Sequence, residues 1–182
     1  GKNTLRRRPD RLVIGDARNP EIPDLFAAFA GHGGCMSTTH SNTTAEETLM
    51  RLTRPPINVP ELLLGAVDVI IMQRLLHIRG QHIRRVTEIA EVAGMEGGRI
   101  KLNRTHCWDP SADELKAVGA PSISIRQISE LSGIPTAKIQ QELKQRAKVL
   151  GWLVKKHANM DEIYRTVQEY HVDPEGVLSG LR

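Results

Sequence analysis

Asp16 ends the apolar run Leu12-Val13-Ile14-Gly15, and His40 closes a second short run, Cys35-Met36-Ser37-Thr38-Thr39. Read as neighbouring parallel strands, the two runs bring the acid and the imidazole out at one end of a sheet, where open α/β sheets hold their ligands. A carboxylate in that setting can hold Mg²⁺ through water or polarise an attacking water. An imidazole beside it can donate a hydrogen bond to a terminal phosphate and so signal whether the phosphate is there. Arg18 follows two residues after Asp16, and Arg6, Arg7 and Arg8 precede the first run, so several planar guanidinium forks could meet phosphate oxygens. His32, Cys35 and His40 are metal-ligating types, but alternate strand residues point opposite ways and make a poor tetrahedral set. His106-Cys107 fails as a zinc pair for the same reason.

The elements that must position these groups are legible in outline. Leu12 to Gly15, bounded by Pro9, has the pattern of a buried parallel strand. Asn19-Pro20 opens a helix, Leu25, Phe26, Ala28 and Phe29 form its apolar face, and Gly31 ends it. Cys35 to Thr39 is the second strand. Thr44 and Glu47 form a capping box for a helix through Leu52, which Pro55-Pro56 stops, and Pro60 starts another helix to about Ala66. From Val67 the period becomes two: Val69 to Ile78 and Ile83 to Val92 read as a hairpin around Arg79-Gly80-Gln81, and Gly97-Gly98 turns into Ile100 to Thr105. These three strands are expected to extend one sheet. Beyond Asp109-Pro110 the helical period takes over, over Ile123 to Leu131, Thr136 to Leu150, Met160 to Tyr170 and Pro174 to Leu178. A domain boundary is placed between Trp108 and Ala120.

Composition narrows the classes. With 182 residues, 40% apolar and 25% charged, the chain can bury a core, and disorder is not expected. Six aromatics force that core to be aliphatic. Two cysteines make no disulfide framework and suit a reducing compartment. No secretory signal is visible, and the longest apolar stretch, Leu62 to Met72, is broken by Asp68 and falls well short of the ~20 residues of a spanning helix. A cytosolic protein is expected, and the absent initiating Met suggests a piece of something longer. The formal charge of +4 is uneven: Lys116 to Met160 carries eight bases against two acids, whereas residues 157–182 carry five acids against two bases.

With these residues laid out, the chain resembles the C-terminal part of the hexameric secretion ATPases that drive type II secretion, type IV pili and the archaeal flagellum, the archaeal members most of all. Arg8-Pro9-Asp10 leading into Leu12-Val13-Ile14-Gly15-Asp16-Ala17-Arg18 is similar to that family's Walker B segment. Gly31-His32-Gly33-Gly34 with Ser37-Thr38-Thr39-His40-Ser41-Asn42 is similar to its histidine box. Pro55 to Pro60, the strand through Gln73-Arg74, and Arg84-Arg85-Val86-Thr87-Glu88 match the archaeal pattern as well.

The resemblance implies an α/β fold: the second half of a RecA-like P-loop ATPase core over residues 1–110, then a small helical C-terminal domain over 111–182. It implies Asp16 and His40 as catalytic residues, Arg18, Thr38 and Thr39 at the nucleotide, and ATP and Mg as cofactors, with Asp16 meeting the metal through water. It implies a hexamer that works on a membrane platform protein from the cytoplasmic face, peripheral to the membrane and without stable insertion, with nucleic acid not expected as a partner. Two departures stand out. Asp16 occupies a position where the family pattern has glutamate, one methylene longer, and a displacement of ~1 Å in a catalytic group can cost ~100-fold in rate. No G-x-x-x-x-G-K-[ST] occurs, and Gly1-Lys2-Asn3-Thr4 lacks the glycine loop, so these residues alone are expected neither to bind ATP tightly nor to hydrolyse it.

Two further readings compete. Within residues 123–150, Ile128, Leu131, Gly133, Ile139 and Leu143 have helix-turn-helix spacing, with Lys138, Lys144, Arg146 and Lys148 for DNA phosphates and Gln140 and Gln141 for base edges. The plainer reading of that segment is a helical hairpin packed on the strand domain. The basic helical end, with Lys155 and Lys156, also suits docking to acidic loops of a platform protein.

Overall fold

The computed structural model describes residues 10–17, 22–31, 34–41, 44–78, 80–97 and 99–181. Two compact units divide the chain, Gly1–Ser124 and Ile125–Arg182.

The first unit opens with β1 (Leu12–Ile14), α1 (Ile22–Gly31) and β2 (Cys35–Ser37). Both strands run parallel in the register Leu12↔Cys35, Val13↔Met36, Ile14↔Ser37. Gly34 starts β2 at φ +73°, and a Cβ there would sit 3.2 Å from the Asp10 carbonyl, so only glycine lets the strands approach so closely. Leu12 is buried, and Ile14 packs on the main core, to which α1 contributes Ile22, Leu25 and Phe26. Helix α2 (Ala45–Thr53) follows, capped by Thr44, whose side chain accepts the Glu47 N–H. Leu49 and Leu52 of α2, Ile57 and Val59 of the next loop, and Leu64 of the short α3 (Glu61–Leu64) complete the main core.

Four antiparallel strands close this unit in the order β3 (Val69–Ile78), β4 (Gln81–Glu96), β5 (Arg99–Asp109) and β6 (Glu114–Ala117). Gly80, at φ +77°, makes the β3–β4 turn with no side-chain strain. Ile70, Ile100 and Leu102 of this sheet pack on the main core. The three strands seen in the sequence share one antiparallel sheet, to which β6 adds a fourth strand, and this sheet is separate from the β1–β2 pair. The unit also runs past residue 110, because Glu114–Ala117 pairs with His106 to Asp109, and Asn103 and Glu91 hold residues 121–124. The four β6 residues, all exposed, make an alternation too short for the sequence to show.

The second unit is helical. It contains most of α4 (Ile123–Ser132), then α5 (Thr136–Lys155), α6 (Met160–Val172) and α7 (Pro174–Ser179). Its core is small: Val149, Leu153 and Tyr170 are buried, with Trp152, Ile163, Val177 and Leu178 packed around them. A full reciprocal capping box, Asn159 with Glu162, starts α6. Among the described residues no helix is long and apolar enough to cross a membrane.

Candidate functional site

Asp16 leaves β1 with φ +52°, the left-handed conformation that Asp and Asn adopt at less cost than other side chains. The loop is pinned there from β2. Thr38 N–H donates to the Ile14 carbonyl at 3.3 Å and Ala17 N–H to the Thr38 carbonyl at 2.8 Å, so the parallel ladder continues beyond both strands. Asp16 N–H donates to Thr38 Oγ1 at 2.8 Å, and Thr39 Oγ1 donates to the Ala17 carbonyl at 3.2 Å. Ala17 is buried in the main core. With its neighbour anchored, the Asp16 carboxylate projects at the end of the sheet and keeps 49% of its surface.

His40 reaches it. Its Nε2 lies 3.1 Å from Asp16 Oδ1, with the imidazole 82% exposed. Helix α2 fixes the loop behind the ring: Arg51 Nη2 donates to the His40 carbonyl, and Ser41 Oγ lies 2.6 Å from Thr48 Oγ1. The Thr48 hydroxyl donates to the Thr44 carbonyl at 2.8 Å, which leaves Ser41 as the donor in that pair. Arg51 and Thr48 are contributors that residue-by-residue reading passed over; their three-residue spacing on one helix face is the signal that would have found them.

Of the residues singled out by sequence, Asp16, His40, Thr38 and Thr39 therefore come together. The two threonine hydroxyls tie the β1 loop to β2, one accepting and one donating. Arg18 lies outside the described residues, as do Arg6, Arg7, Arg8, His32 and Asn42. Among the described residues no group of three or more His, Cys, Asp or Glu could hold a metal by itself. What the pair offers is one carboxylate that accepts and one ring N–H that donates, both open to solvent. That is chemistry for an oxyanion ligand and a water rather than for a closed metal cage.

The segment 123–150 does not have the packing of a helix-turn-helix. No residue of α4 is buried, and Leu131 is 90% exposed, with Ile128 and Leu143 exposed too, although these apolar positions should form the motif's small core. Lys156 is engaged internally: Nζ lies 2.9 Å from Glu162 Oε1 and 5.1 Å from the centre of the Trp152 ring.

Comparison with known families matches residues 2–172 to the type II/IV secretion system protein family. An uncharacterized protein of Methanocaldococcus jannaschii is 33% identical over 171 residues, which cover 93% of this chain and 63% of the relative. A probable conjugal transfer protein TrbB of Sinorhizobium fredii is 35% identical over 106 residues, 56% of this chain and 31% of the relative. The type IV pilus ATPase PilU of Pseudomonas aeruginosa is 44% identical over 52 residues, 28% of this chain and 13% of PilU. The chain thus spans less than two thirds of the length of each of these relatives.

Proposed function

The chain belongs to the type II/IV secretion system protein family, and on that premise we propose that it is the C-terminal part of a motor ATPase, the second half of a RecA-like core with a helical domain after it. The observation that carries this reading is the 3.1 Å contact of Asp16 and His40 at the end of a parallel strand pair. As they stand, the two groups satisfy each other: the carboxylate accepts the Nε2–H and fixes the ring. A terminal phosphate oxygen competes for that N–H. Once His40 turns to the phosphate, the freed Asp16 carboxylate can accept a proton from, and orient, an attacking water. His40 is the sensor and Asp16 the water-orienting acid.

ATP and Mg fit this donor set. A single half-exposed carboxylate suits a cation that keeps most of its waters and takes its other ligands from phosphate oxygens. When bound, the metal neutralises charge on the phosphates. Thr38 and Thr39 hold the site in register beside the nucleotide, and Arg18, two residues from Asp16 in sequence, is the residue assigned to organising the phosphates. No sequence of the form G-x-x-x-x-G-K-[ST] occurs among these 182 residues, so the phosphate cradle has to come from elsewhere in the assembled motor. In the whole protein we place this chain in a hexamer, peripheral at the cytoplasmic face of the cell membrane, acting on a membrane platform protein in filament assembly or secretion.

The test is turnover in the protein joined to a nucleotide-binding half that carries a phosphate loop. Asp16→Asn should lower kcat by roughly 100-fold or more while hexamer assembly is retained. Isothermal calorimetry on the 182 residues alone should show no micromolar ATP binding. Undiminished turnover in Asp16→Asn removes Asp16 from the chemistry, and tight ATP binding by the isolated chain overturns its dependence on a separate cradle.

A further inference from the structure

Glu88 lies on β4, in the antiparallel sheet, on a different element from either member of the Asp16–His40 pair, and is 7% exposed. Its Oε2 accepts the backbone N–H of Ala45 at 3.0 Å, and its Oε1 accepts from Arg104 Nε at 2.7 Å. Arg104 in turn places Nη2 3.8 Å from Glu46. Ala45, fully buried against Met72 and Ala90, is the first residue of α2. A buried carboxylate on a sheet is costly to desolvate, and an aliphatic side chain would fill the same space without that cost. What the carboxylate adds is an acceptor at a helix N-terminus, where free amides and the helix dipole both favour an anion.

Helix α2 carries that anchorage to the candidate site in successive turns. Its first turn is held by Glu88, its second places Thr48 against Ser41, and its last places Arg51 on the His40 carbonyl. A nine-residue helix moves as one body, so the position of its first turn sets the position of its last. We propose that Glu88 is a positioning residue for His40: it docks the start of α2 on the antiparallel sheet, and through that helix fixes the loop that brings the imidazole to Asp16. The assignment deepens the reading of Asp16 and His40 as a functional pair and rests on it. Sequence placed Glu88 only within a segment matching a family pattern and gave it no role.

The experiment is histidine-selective NMR of the 182-residue chain, with the His40 ring signals identified by His40→Ala. Asp16→Asn first establishes the shift produced by loss of the pair. Glu88→Met, which removes both acceptors, should move the His40 ring signals in the same direction. Glu88→Gln, which keeps an oxygen for the Ala45 N–H, should leave them near the wild-type position. Thr105→Val removes a buried hydroxyl of the same sheet that bonds the Ile89 carbonyl, and should lower the melting temperature without moving His40. Should Glu88→Met not fold, Arg104→Met, which releases one of the two Glu88 bonds, is read in its place and should produce a smaller shift in the same direction. His40 signals unmoved in Glu88→Met (or in Arg104→Met, where that variant stands in) but moved in Asp16→Asn overturn the positioning role while the pair stands. Signals unmoved in Asp16→Asn overturn the pair itself. Equal movement in Thr105→Val reduces Glu88 to a general contribution to folding and overturns the proposal.

Discussion

At position 16 the backbone explains the residue type as much as the chemistry does. The left-handed φ of +52° penalises most side chains by roughly 1–2 kcal/mol, and aspartate escapes much of that because its short carboxylate can bond locally. Restoring the glutamate of the family pattern should therefore cost stability before it affects anything else. Asp16→Glu is expected to lower unfolding free energy by about 1 kcal/mol in a urea titration, whereas Asp16→Asn, which tolerates the same conformation, should change it by less than about 0.5 kcal/mol. Equal stability of the two variants would show that position 16 does not hold this conformation in solution. The juxtaposition with His40 was legible from two short runs, each ending in a reactive group. The lock on it is not: the resemblance implies Thr38 and Thr39 at the nucleotide, and only the structure shows them tying Asp16 and Ala17 to β2.

At the scale of elements, two helix starts in the first unit's sequence are held by carboxylates from β4. Glu88 holds α2, and Glu91, 4% exposed, holds residues 122–124 through Ser122 Oγ at 2.5 Å and the N–H groups of Ile123 and Ser124 at 2.6 and 3.1 Å. Burial, the largest influence, pushes the Glu91 carboxyl up, but the bonds from Ser122, Ile123, Ser124 and Asn103 together outweigh it and bring it from 4.5 down to about 2. A carboxyl depressed on folding adds stability above its unfolded value, and that stability is lost as pH falls through the folded value. The first unit should thus lose on the order of 3 kcal/mol between about pH 5 and pH 2, and Glu91→Gln should flatten that slope in acid titrations followed by circular dichroism. An unchanged slope would assign acid sensitivity to other groups. These tethers hold residues 121–124 to the strands of the first unit, beyond the Trp108 to Ala120 boundary that periodicity suggests. Periodicity reports which face of an element is apolar, and it is silent about a glutamate that reaches across to the amides of a segment about thirty residues on.

For the molecule as a whole, the informative surface is the uncovered side of β1–β2. Leu12 and Ile14 face the core, but their neighbours Val13 and Met36, paired directly across the strands, are 68% and 60% exposed. Parallel strands are almost always covered on both faces, and a two-stranded sheet is marginal by itself. A bare apolar face of this kind is what the proposed motor half would show if further strands and helices complete its sheet. Val13 and Met36, mostly exposed among the described residues, can be made polar at little cost to the chain's own folding, yet should be needed wherever the sheet is completed. Val13→Thr with Met36→Thr is therefore expected to leave the melting temperature of the 182-residue chain within a few degrees of the parent, since exposed substitutions usually stay within about 0.5 kcal/mol. In the protein joined to its nucleotide-binding half, the same pair should reduce hexamer formation, measured by analytical ultracentrifugation, and turnover with it. Assembly that proceeds undiminished would mean that this face stays bare in the working motor, and that β1 and β2 carry Asp16 and His40 without joining a larger sheet.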